Sequence, residues 1–167
     1  PGRTRAPGLS QTISRRYGIE AYVAPVADSA TEIERLDQVA ITTAKLISAW
    51  YDSDMVLGIA WGTTLAAIGR RLVPKPTRGS VVVQLNGAAN TRTSGIEYAS
   101  DLITGFGTAF DATVHHFPVP AFFDYPETKA AMWRERSVQR ALDVQRRADI
   151  ALFGVGAVTG GLPSHVY

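Results

Sequence analysis

Three short glycine-rich stretches of this 167-residue chain each follow an apolar run and carry small or hydroxyl-bearing residues. They are residues 60–64 (AWGTT), residues 85–95 (LNGAANTRTSG) and residues 154–161 (GVGAVTGG). In the first stretch, Gly62 allows a ligand to approach the backbone, and the N–H groups that open the next helix attract an anion. Thr63 and Thr64 add hydroxyl donors beside those N–H groups. The chemistry that this pattern favours is the binding of a phosphate group.

Each stretch also has a purely structural interpretation. Thr63 is a suitable helix cap. Trp61 has the shape to stack on a sugar ring, but a tryptophan at a strand end is more often part of the core. Taken singly, the first stretch therefore suits a ligand and a helix cap about equally. Three such stretches after three strands favour a ligand, because the carboxyl ends of parallel strands converge at one edge of a sheet.

Cofactor chemistry is not expected. None of the three stretches matches the G-x-G-x-x-G fingerprint of dinucleotide-binding turns or the phosphate-loop motif that ends in Lys followed by Ser or Thr. The chain has no cysteine, and His115 and His116 are adjacent on a predicted strand, where neighbouring side chains face opposite sides. We therefore predict no nicotinamide, ATP or metal site, with one of these two histidines buried and the other exposed.

Catalytic residues are not predicted either. The three stretches contain no Asp, Glu or His, although Glu97 and Asp101 come soon after the second. None of the chain's lysines lies in the stretches, so a Schiff base has no evident nucleophile there. Asp124 and Glu127 suit acid–base chemistry only if their loop folds favourably, and capping of the next helix by Asp124 is the better interpretation.

The composition is that of one globular domain. Hydrophobic residues make up 46% of the chain and charged residues 19%, which excludes a disordered chain. No apolar run approaches the ~18 residues that a membrane-spanning helix needs. The net charge is +2, and residues 1–16 contain four arginines and no acidic residue. We interpret residues 1–16 as a linker or the edge of a domain that occupies residues 17–167, and we expect a cytoplasmic protein.

The three stretches lie between elements of alternating type. Apolar runs of strand length occur at residues 21–27, 54–61, 80–85, 112–120 and 149–158. Apolar residues recur at helical spacing in residues 28–50, 63–73, 94–110 and 136–148, and another helix begins near Pro126. Ser29 or Thr31 is placed to cap the first of these helices, and the third is predicted to end near Gly105 or Gly107. The alternation predicts an α/β, Rossmann-like fold in which helices cover both faces of a parallel sheet.

Three segments of the chain resemble the effector-binding domain of SorC-type sugar-binding transcriptional regulators. In order, they are VLGIAWGTTLAAIGRRL, VVVQLNGAANTRTSGIEYASDLI and RERSVQRALDVQRRADIALFGVGAV. The resemblance runs from about Tyr17 to the C-terminus. It implies a fold related to sugar-phosphate isomerases and CoA transferases, and a phosphorylated sugar as effector. It also implies control of operator DNA through a separate helix-turn-helix, and assembly as a homodimer or homotetramer.

The resemblance also implies ligand-binding positions. The family's phosphate loop falls on Gly62, Thr63 and Thr64, its second ligand loop on Asn86, Gly87 and Ala88, and its glycine turn after the last strand on Gly154 and Gly156. Some relatives carry a basic residue where this chain has Asn86, which leaves the identity of the sugar open and argues against covalent capture of an aldehyde. The family's helix-turn-helix does not precede residue 20, and its domain normally continues beyond Tyr167. The resemblance therefore implies an isolated sensor domain, incomplete at its C-terminal end.

An enzyme of the related isomerase fold, acting on a sugar phosphate, is the alternative function. Such an isomerase needs a carboxylate or a similar base positioned near the substrate carbon. The glycine-rich stretches provide none, which favours the regulator. A third interpretation, a purely structural assembly domain, would leave three glycine-rich strand ends without a purpose.

Overall fold

The computed structural model describes residues 6–88 and 96–156, which contain four strands and six helices. The strands are β1 (Val56–Ile59), β2 (Val81–Gln84), β3 (Thr113–His115) and β4 (Ile150–Leu152). The helices are α1 (Ala6–Tyr17), α2 (Glu32–Trp50), α3 (Thr63–Gly69), α4 (Ile96–Phe110), α5 (Pro126–Met132) and α6 (Arg136–Gln145). From β1 onward, consecutive strands are separated by helices, as the sequence predicts, with one helix in the first two connections and two helices, α5 and α6, between β3 and β4.

The strands form one parallel sheet in the order β3-β2-β1-β4. Val56 of β1 is in register with Val81 of β2, and Leu57 with Ile150 of β4. The valine-rich β2 is interior, which agrees with the expectation that a run of apolar residues on both faces belongs to a central parallel strand. The predicted α/β class with a parallel sheet is confirmed.

Helices cover both faces of this sheet. Crossovers between parallel strands are right-handed, so the steps from β1 to β2 to β3 place α3 and α4 on one face. The return from β3 to β4 runs in the opposite direction and places α5 and α6 on the other face. Two apolar clusters reflect this arrangement: a large one includes Leu57, Val82 and Phe106, and a smaller one is built around Phe117 and Val138.

The N-terminal part of the chain departs from the sequence-based expectation in two places. Residues 21–27 were predicted to form a strand, and this is wrong. The N–H groups of Ala21 and Val23 donate to the hydroxyl oxygens of Ser14 and Ser10 in α1, at 3.0 Å each, instead of to a neighbouring strand. The helix α1 itself lies largely in the stretch that was interpreted as a linker, where periodicity had not indicated a helix.

The start of α2 follows the prediction. Thr31 is its N-cap: the Thr31 hydroxyl accepts from the N–H of Glu34, and the Glu34 carboxylate accepts from the N–H of Thr31 at 2.7 Å. This reciprocal pair satisfies two N–H groups that the helix leaves unpaired. The same hydrogen bond from the backbone N–H of Thr31, together with one from its hydroxyl, lowers the pKa of the Glu34 carboxyl.

The prediction that Asp124 caps α5 is wrong. The N-cap of this helix is Tyr125, and among the described residues no side chain makes a capping hydrogen bond there.

Helix α4 continues past both glycines at which it was predicted to end, and reaches Phe110. Its buried face carries Ile103, Phe106 and Phe110, each with no exposed surface, so burial of these side chains extends the helix through the glycines. The predicted end near Gly105 or Gly107 is wrong because tertiary packing outweighs the weak helix propensity of glycine.

The two glycines of α4 should respond oppositely to alanine. At Gly105, none of the described residues places an atom within 4 Å of an added Cβ, so Gly105→Ala should stabilise the fold by about 0.5–1 kcal/mol. At Gly107, the added Cβ would lie 2.3 Å from Cγ2 of Val114, so Gly107→Ala should destabilise it by about 1–3 kcal/mol. Urea unfolding of the two variants tests this, and changes of the same sign would contradict it.

Among the helices of residues 6–88 and 96–156, none combines the length and the apolar character that a membrane crossing demands.

Candidate functional site

The strand order creates a topological switch point at the carboxyl edge of the sheet, between β1 and β4, and this place is called the crevice below. The chain leaves β1 toward β2 on one side, whereas β4 pairs with β1 on the other side. At such a switch point the two connections diverge, and the space between them is where α/β sheets generally bind ligands. The connections here are residues 60–62, which lead into α3, and residues 153–156, which follow β4.

Gly62 lies at the mouth of this crevice, immediately before α3. Its φ of 153° is a backbone conformation that residues with side chains rarely adopt. Among the described residues, no atom lies within 4 Å of a Cβ added at this position. The glycine is therefore required by its conformation, and no described residue fills the space beside it. Since Gly62 is the N-cap, Thr63 is the first residue of the helix rather than its cap.

The loop after β4 runs beside the first turn of α3. A Cβ added at Gly154 would lie 3.4 Å from Cδ2 of Leu65 and 3.9 Å from Cβ of Thr64. Gly154 and Gly156 are both exposed. The first and third glycine-rich stretches are thus neighbours, as the convergence of strand ends predicts, although residues 157–161 of the third lie outside the described part of the chain.

The first and second stretches are joined by two hydrogen bonds from Trp61. Its backbone N–H donates to Oδ1 of Asn86 at 3.3 Å, and its indole N–H donates to the carbonyl of Gly87 at 2.7 Å. Asn86 is half-buried, and its Oδ1 reaches the first stretch through this hydrogen bond. The structure therefore brings together the starts of all three predicted stretches.

Trp61 itself is only 4% exposed, and its ring lies in the large apolar cluster. It makes an edge-to-face contact with Tyr98, with ring centroids 6.4 Å apart. Burial raises the pKa of the Tyr98 phenol, while nearby Arg70 acts in the opposite direction. Stacking of Trp61 on a sugar ring would require the indole to leave the core and its hydrogen bond to Gly87, whereas in this structure it connects two loops.

Gly87 and Ala88 are buried beneath the segment that follows β3. A Cβ added at Gly87 would lie 2.1 Å from the carbonyl oxygen of Pro120 and 2.3 Å from that of Val119. The N–H of Ala88 donates to the carbonyl of Val119 at 3.2 Å. Close packing of two backbones thus accounts for a glycine at position 87. The ligand-binding roles of Gly87 and Ala88 stay predictions, and residues 89–95 lie outside the described part of the chain.

A pair of glutamines supports the second stretch, and sequence reasoning did not identify its role. Gln84 is 3% exposed; its Nε2 donates to the carbonyl of Asn86 at 2.7 Å, and its Oε1 accepts from the N–H of Phe117 at 3.2 Å. Nε2 of Gln145 in α6 donates to the carbonyl of Gln84 at 2.7 Å. The signal in the sequence was the glutamine that ends the apolar run VVVQ. A buried glutamine at such a strand end indicates an amide that hydrogen-bonds to neighbouring segments, because a buried amide requires partners.

The described residues offer no metal centre: no group of three His, Cys, Asp or Glu side chains is close enough to hold an ion. His115 is half-buried and His116 exposed, broadly as predicted. Glu97 and Asp101, the carboxylates nearest in sequence to the second stretch, are exposed. What the crevice offers a ligand is backbone N–H groups, hydroxyls and an amide.

Comparison with known proteins gives concordant results. A family described as "Putative sugar-binding domain" matches residues 4–166. The chain is 30% identical, over 154 residues, to the deoxyribonucleoside regulator of Bacillus subtilis (strain 168), with 90% of this chain and 48% of that protein aligned. The chain therefore spans about half the length of this curated relative.

Two solved structures are also similar. A domain of "a possible sugar-binding transcriptional regulator" from Arthrobacter aurescens TC1 is 49% identical, with a TM-score of 0.91, over 100% of this chain and 65% of that one. Full-length SorC, the sorbitol operon regulator of Klebsiella pneumoniae, is 20% identical with a TM-score of 0.78, over 87% of this chain and 48% of that one. The second likeness, at this identity, concerns the fold alone.

Proposed function

We propose that this chain, which belongs to the family of sugar-binding domains matched over residues 4–166, senses a phosphorylated sugar for a bacterial transcriptional regulator of the SorC type. The observation that carries the proposal is the arrangement of residues at the switch point between β1 and β4. There, Gly62 and the two threonines begin α3, and the exposed glycine turn after β4 passes next to Thr64, since a Cβ added at Gly154 would lie 3.9 Å from Cβ of Thr64.

The phosphate lies over Gly62, Thr63 and Thr64 in this proposal. A phosphate oxygen accepts several hydrogen bonds, and hydroxyl and backbone N–H donors at one turn suit it. Gly154 and Gly156 allow the chain after β4 to approach the same anion, because neither adds a side chain. The sugar extends from the phosphate toward Asn86, whose amide group can donate to and accept from sugar hydroxyls.

The rest of the regulator completes this function. Occupation of the crevice controls the affinity of a separate helix-turn-helix for operator DNA, and the protein acts in the cytoplasm as a homodimer or homotetramer. The names of the relatives support a regulatory role, since the Bacillus protein is named a deoxyribonucleoside regulator and the Arthrobacter protein "a possible sugar-binding transcriptional regulator". The proposal includes no cofactor and no catalytic residue.

We expect no turnover of sugar phosphates by this chain. The described starts of the glycine-rich stretches carry no carboxylate or imidazole, and proton transfer at a sugar carbon needs such a base. The test is incubation with pentose and hexose phosphates while isomer formation is followed by NMR. Turnover that follows the purified protein and disappears with Thr64→Val would establish an isomerase-like enzyme instead.

A further inference from the structure

We propose that Gln84 is a positioning residue of the effector site: its side-chain amide fixes the chain at Asn86 and thereby holds the Asn86 side chain where the sugar binds. The inference rests on the proposed function and adds to it the residue that keeps the second glycine-rich stretch beside the first. Gln84 is only 3% exposed, so it acts through Asn86 and does not itself touch the ligand.

Gln84 is the last residue of β2, at the carboxyl edge of the sheet. It is in register with Ile59, the last residue of β1, and the N–H of Leu85 donates to the carbonyl of Ile59 at 2.9 Å. The registered pairing of β1 and β2 ends at this point. The position of Asn86, two residues beyond Gln84, therefore depends on contacts other than the pairing of the strands.

The amide of Gln84 joins two segments that leave neighbouring strands. Its Nε2 donates to the carbonyl of Asn86 at 2.7 Å, and its Oε1 accepts at 3.2 Å from the N–H of Phe117, which follows β3. A carbonyl can only accept and a backbone N–H can only donate, so one orientation of the amide satisfies both. Because Gln84 is buried, water does not readily replace either hydrogen bond. The amide thus fixes the carbonyl of Asn86 relative to the chain after β3.

Gln145 supports the same stretch from α6. Its Nε2 donates to the carbonyls of Gln84 and Leu85, at 2.7 and 3.4 Å. These two carbonyls immediately precede Asn86 in the chain, and the carbonyl of Asn86 itself accepts from Gln84. The two glutamines therefore form one series of amides that runs from α6 to Asn86.

The backbone held in this way determines what Asn86 offers a ligand. Oδ1 of Asn86 accepts at 3.3 Å from the N–H of Trp61, the residue before Gly62. Since Oδ1 faces this N–H, the donor group Nδ2 lies on the other side of the amide. The oxygens of a sugar accept from such a donor, while the phosphate of the same effector lies at the turn that begins with Gly62. Without the Gln84 amide, Asn86 is no longer held against Trp61 and loses this placement.

The first test compares Gln84→Met with the unaltered 167-residue chain by titration calorimetry. The probes are ribose 5-phosphate, 2-deoxyribose 5-phosphate, glucose 6-phosphate and fructose 6-phosphate. Methionine has nearly the length of glutamine but no amide, so Gln84→Met should weaken the tightest-binding sugar phosphate by about 3- to 10-fold. Gln139→Met is the matched control, because Nε2 of this half-buried glutamine donates to the carbonyl of Trp133, between α5 and α6. It should lower stability and leave the affinity unchanged.

The second test repeats Gln84→Met in an Asn86→Ala background. Asn86→Ala keeps the backbone carbonyl to which Gln84 donates and removes the side chain that Gln84 positions. If Gln84 acts through Asn86, Gln84→Met should lower the Tm in both backgrounds but should lower the affinity only where Asn86 is present. A purely structural role for Gln84 would lower the affinity by the same factor in both.

The third test needs no ligand and follows the side-chain NH2 signals of Asn86 in an amide proton–nitrogen correlation spectrum. Their absence from the spectrum of Asn86→Ala identifies them. They should shift in Gln84→Met and stay in place in Gln139→Met. Gln145→Met, at a half-buried position, should also shift them and weaken the sugar phosphate, and it takes the place of Gln84→Met if that variant does not fold.

Three results would overturn the inference and leave the proposed function standing. They are an unchanged affinity in the glutamine variant, an equal loss of affinity in both backgrounds, and unshifted NH2 signals of Asn86. If Asn86→Ala binds too weakly for its affinity to be measured, the NH2 signals decide. If the unaltered chain binds none of the four sugar phosphates, the proposed function fails, and the inference fails with it.

Discussion

Replacing Thr64 by valine should weaken the binding of a phosphorylated sugar by roughly 1.5–3 kcal/mol, or about 10- to 150-fold. Valine keeps the shape of threonine and removes its hydroxyl, and a hydrogen bond to a charged group contributes this amount. The position is half-buried beside the loop after β4, so the loss should not be replaced easily by water. Calorimetry with the tightest-binding sugar phosphate and with its unphosphorylated sugar measures the effect.

Two controls define the result of the Thr64 substitution. Thr104→Val removes an exposed hydroxyl from α4 and should leave the affinity unchanged. The unphosphorylated sugar should bind weakly to the unaltered chain and should be nearly indifferent to Thr64→Val. Equal binding of sugar and sugar phosphate, or an intact affinity in Thr64→Val, would mean that the turn only begins a helix.

Gly62→Val should impair binding more than Thr64→Val does. The side chain would enter the space beside Gly62, which no described residue fills, and would compete with the phosphate. It would also force a branched residue into a φ of 153°, so a loss of stability must be measured alongside the affinity. Added ligand should therefore protect the unaltered chain from thermal unfolding but should not protect this variant.

Gly87→Ala should destabilise the fold by at least about 2 kcal/mol, which corresponds to about 4–8 °C in Tm for a chain of this size. The new Cβ would meet backbone atoms of Val119 and Pro120 at 2.1–2.4 Å, and these cannot rotate away as a side chain would. The second stretch must then separate from residues 117–120, which breaks the hydrogen bond of Ala88 to Val119 and displaces the carbonyl of Gly87 that accepts from Trp61.

Urea unfolding without ligand measures the Gly87 effect, and Gly156→Ala is its matched control. Gly156 is exposed, its φ is not positive, and among the described residues no atom lies within 4 Å of an added Cβ. The control should change stability by no more than about 0.5 kcal/mol. Full stability of Gly87→Ala, together with a loss of ligand affinity, would instead assign Gly87 to the ligand and not to packing.

The order and type of most elements were predictable from the sequence because they depend on local patterns. Short apolar runs located the strands β1 to β4, and apolar residues at helical spacing located α2, α3, α4 and α6. An oxygen-bearing side chain before the first of these helices indicated its cap as Ser29 or Thr31, and the structure has Thr31. Apolar residues on both faces of the valine-rich strand predicted a parallel sheet. The expectation that glycine-rich stretches converge followed from the parallel arrangement itself.

Packing between distant segments decided the remainder. The end of α4 depends on the contacts of the buried Phe106 and Phe110. Residues 21–27 do not form a strand, since the hydroxyls of two serines in α1 accept hydrogen bonds from the N–H groups of Ala21 and Val23. In the sequence, a glycine that packs against backbone cannot be distinguished from a glycine that lies beside a ligand. Only the structure shows that the carbonyl of Pro120 occupies the space that a Cβ at position 87 would need.

The sequence by itself determined the α/β class, the parallel sheet and the choice of three strand ends as the candidate site. Only the tertiary structure decided that β4 pairs with β1, which places the crevice between the first and third stretches. It also decided that Trp61 is buried and connects two loops, and that Val119 and Pro120 pack on the second stretch. The physical reason is that propensity and periodicity act over one or two turns of chain, whereas strand order and the burial of a particular ring depend on long-range contacts that local sequence does not encode.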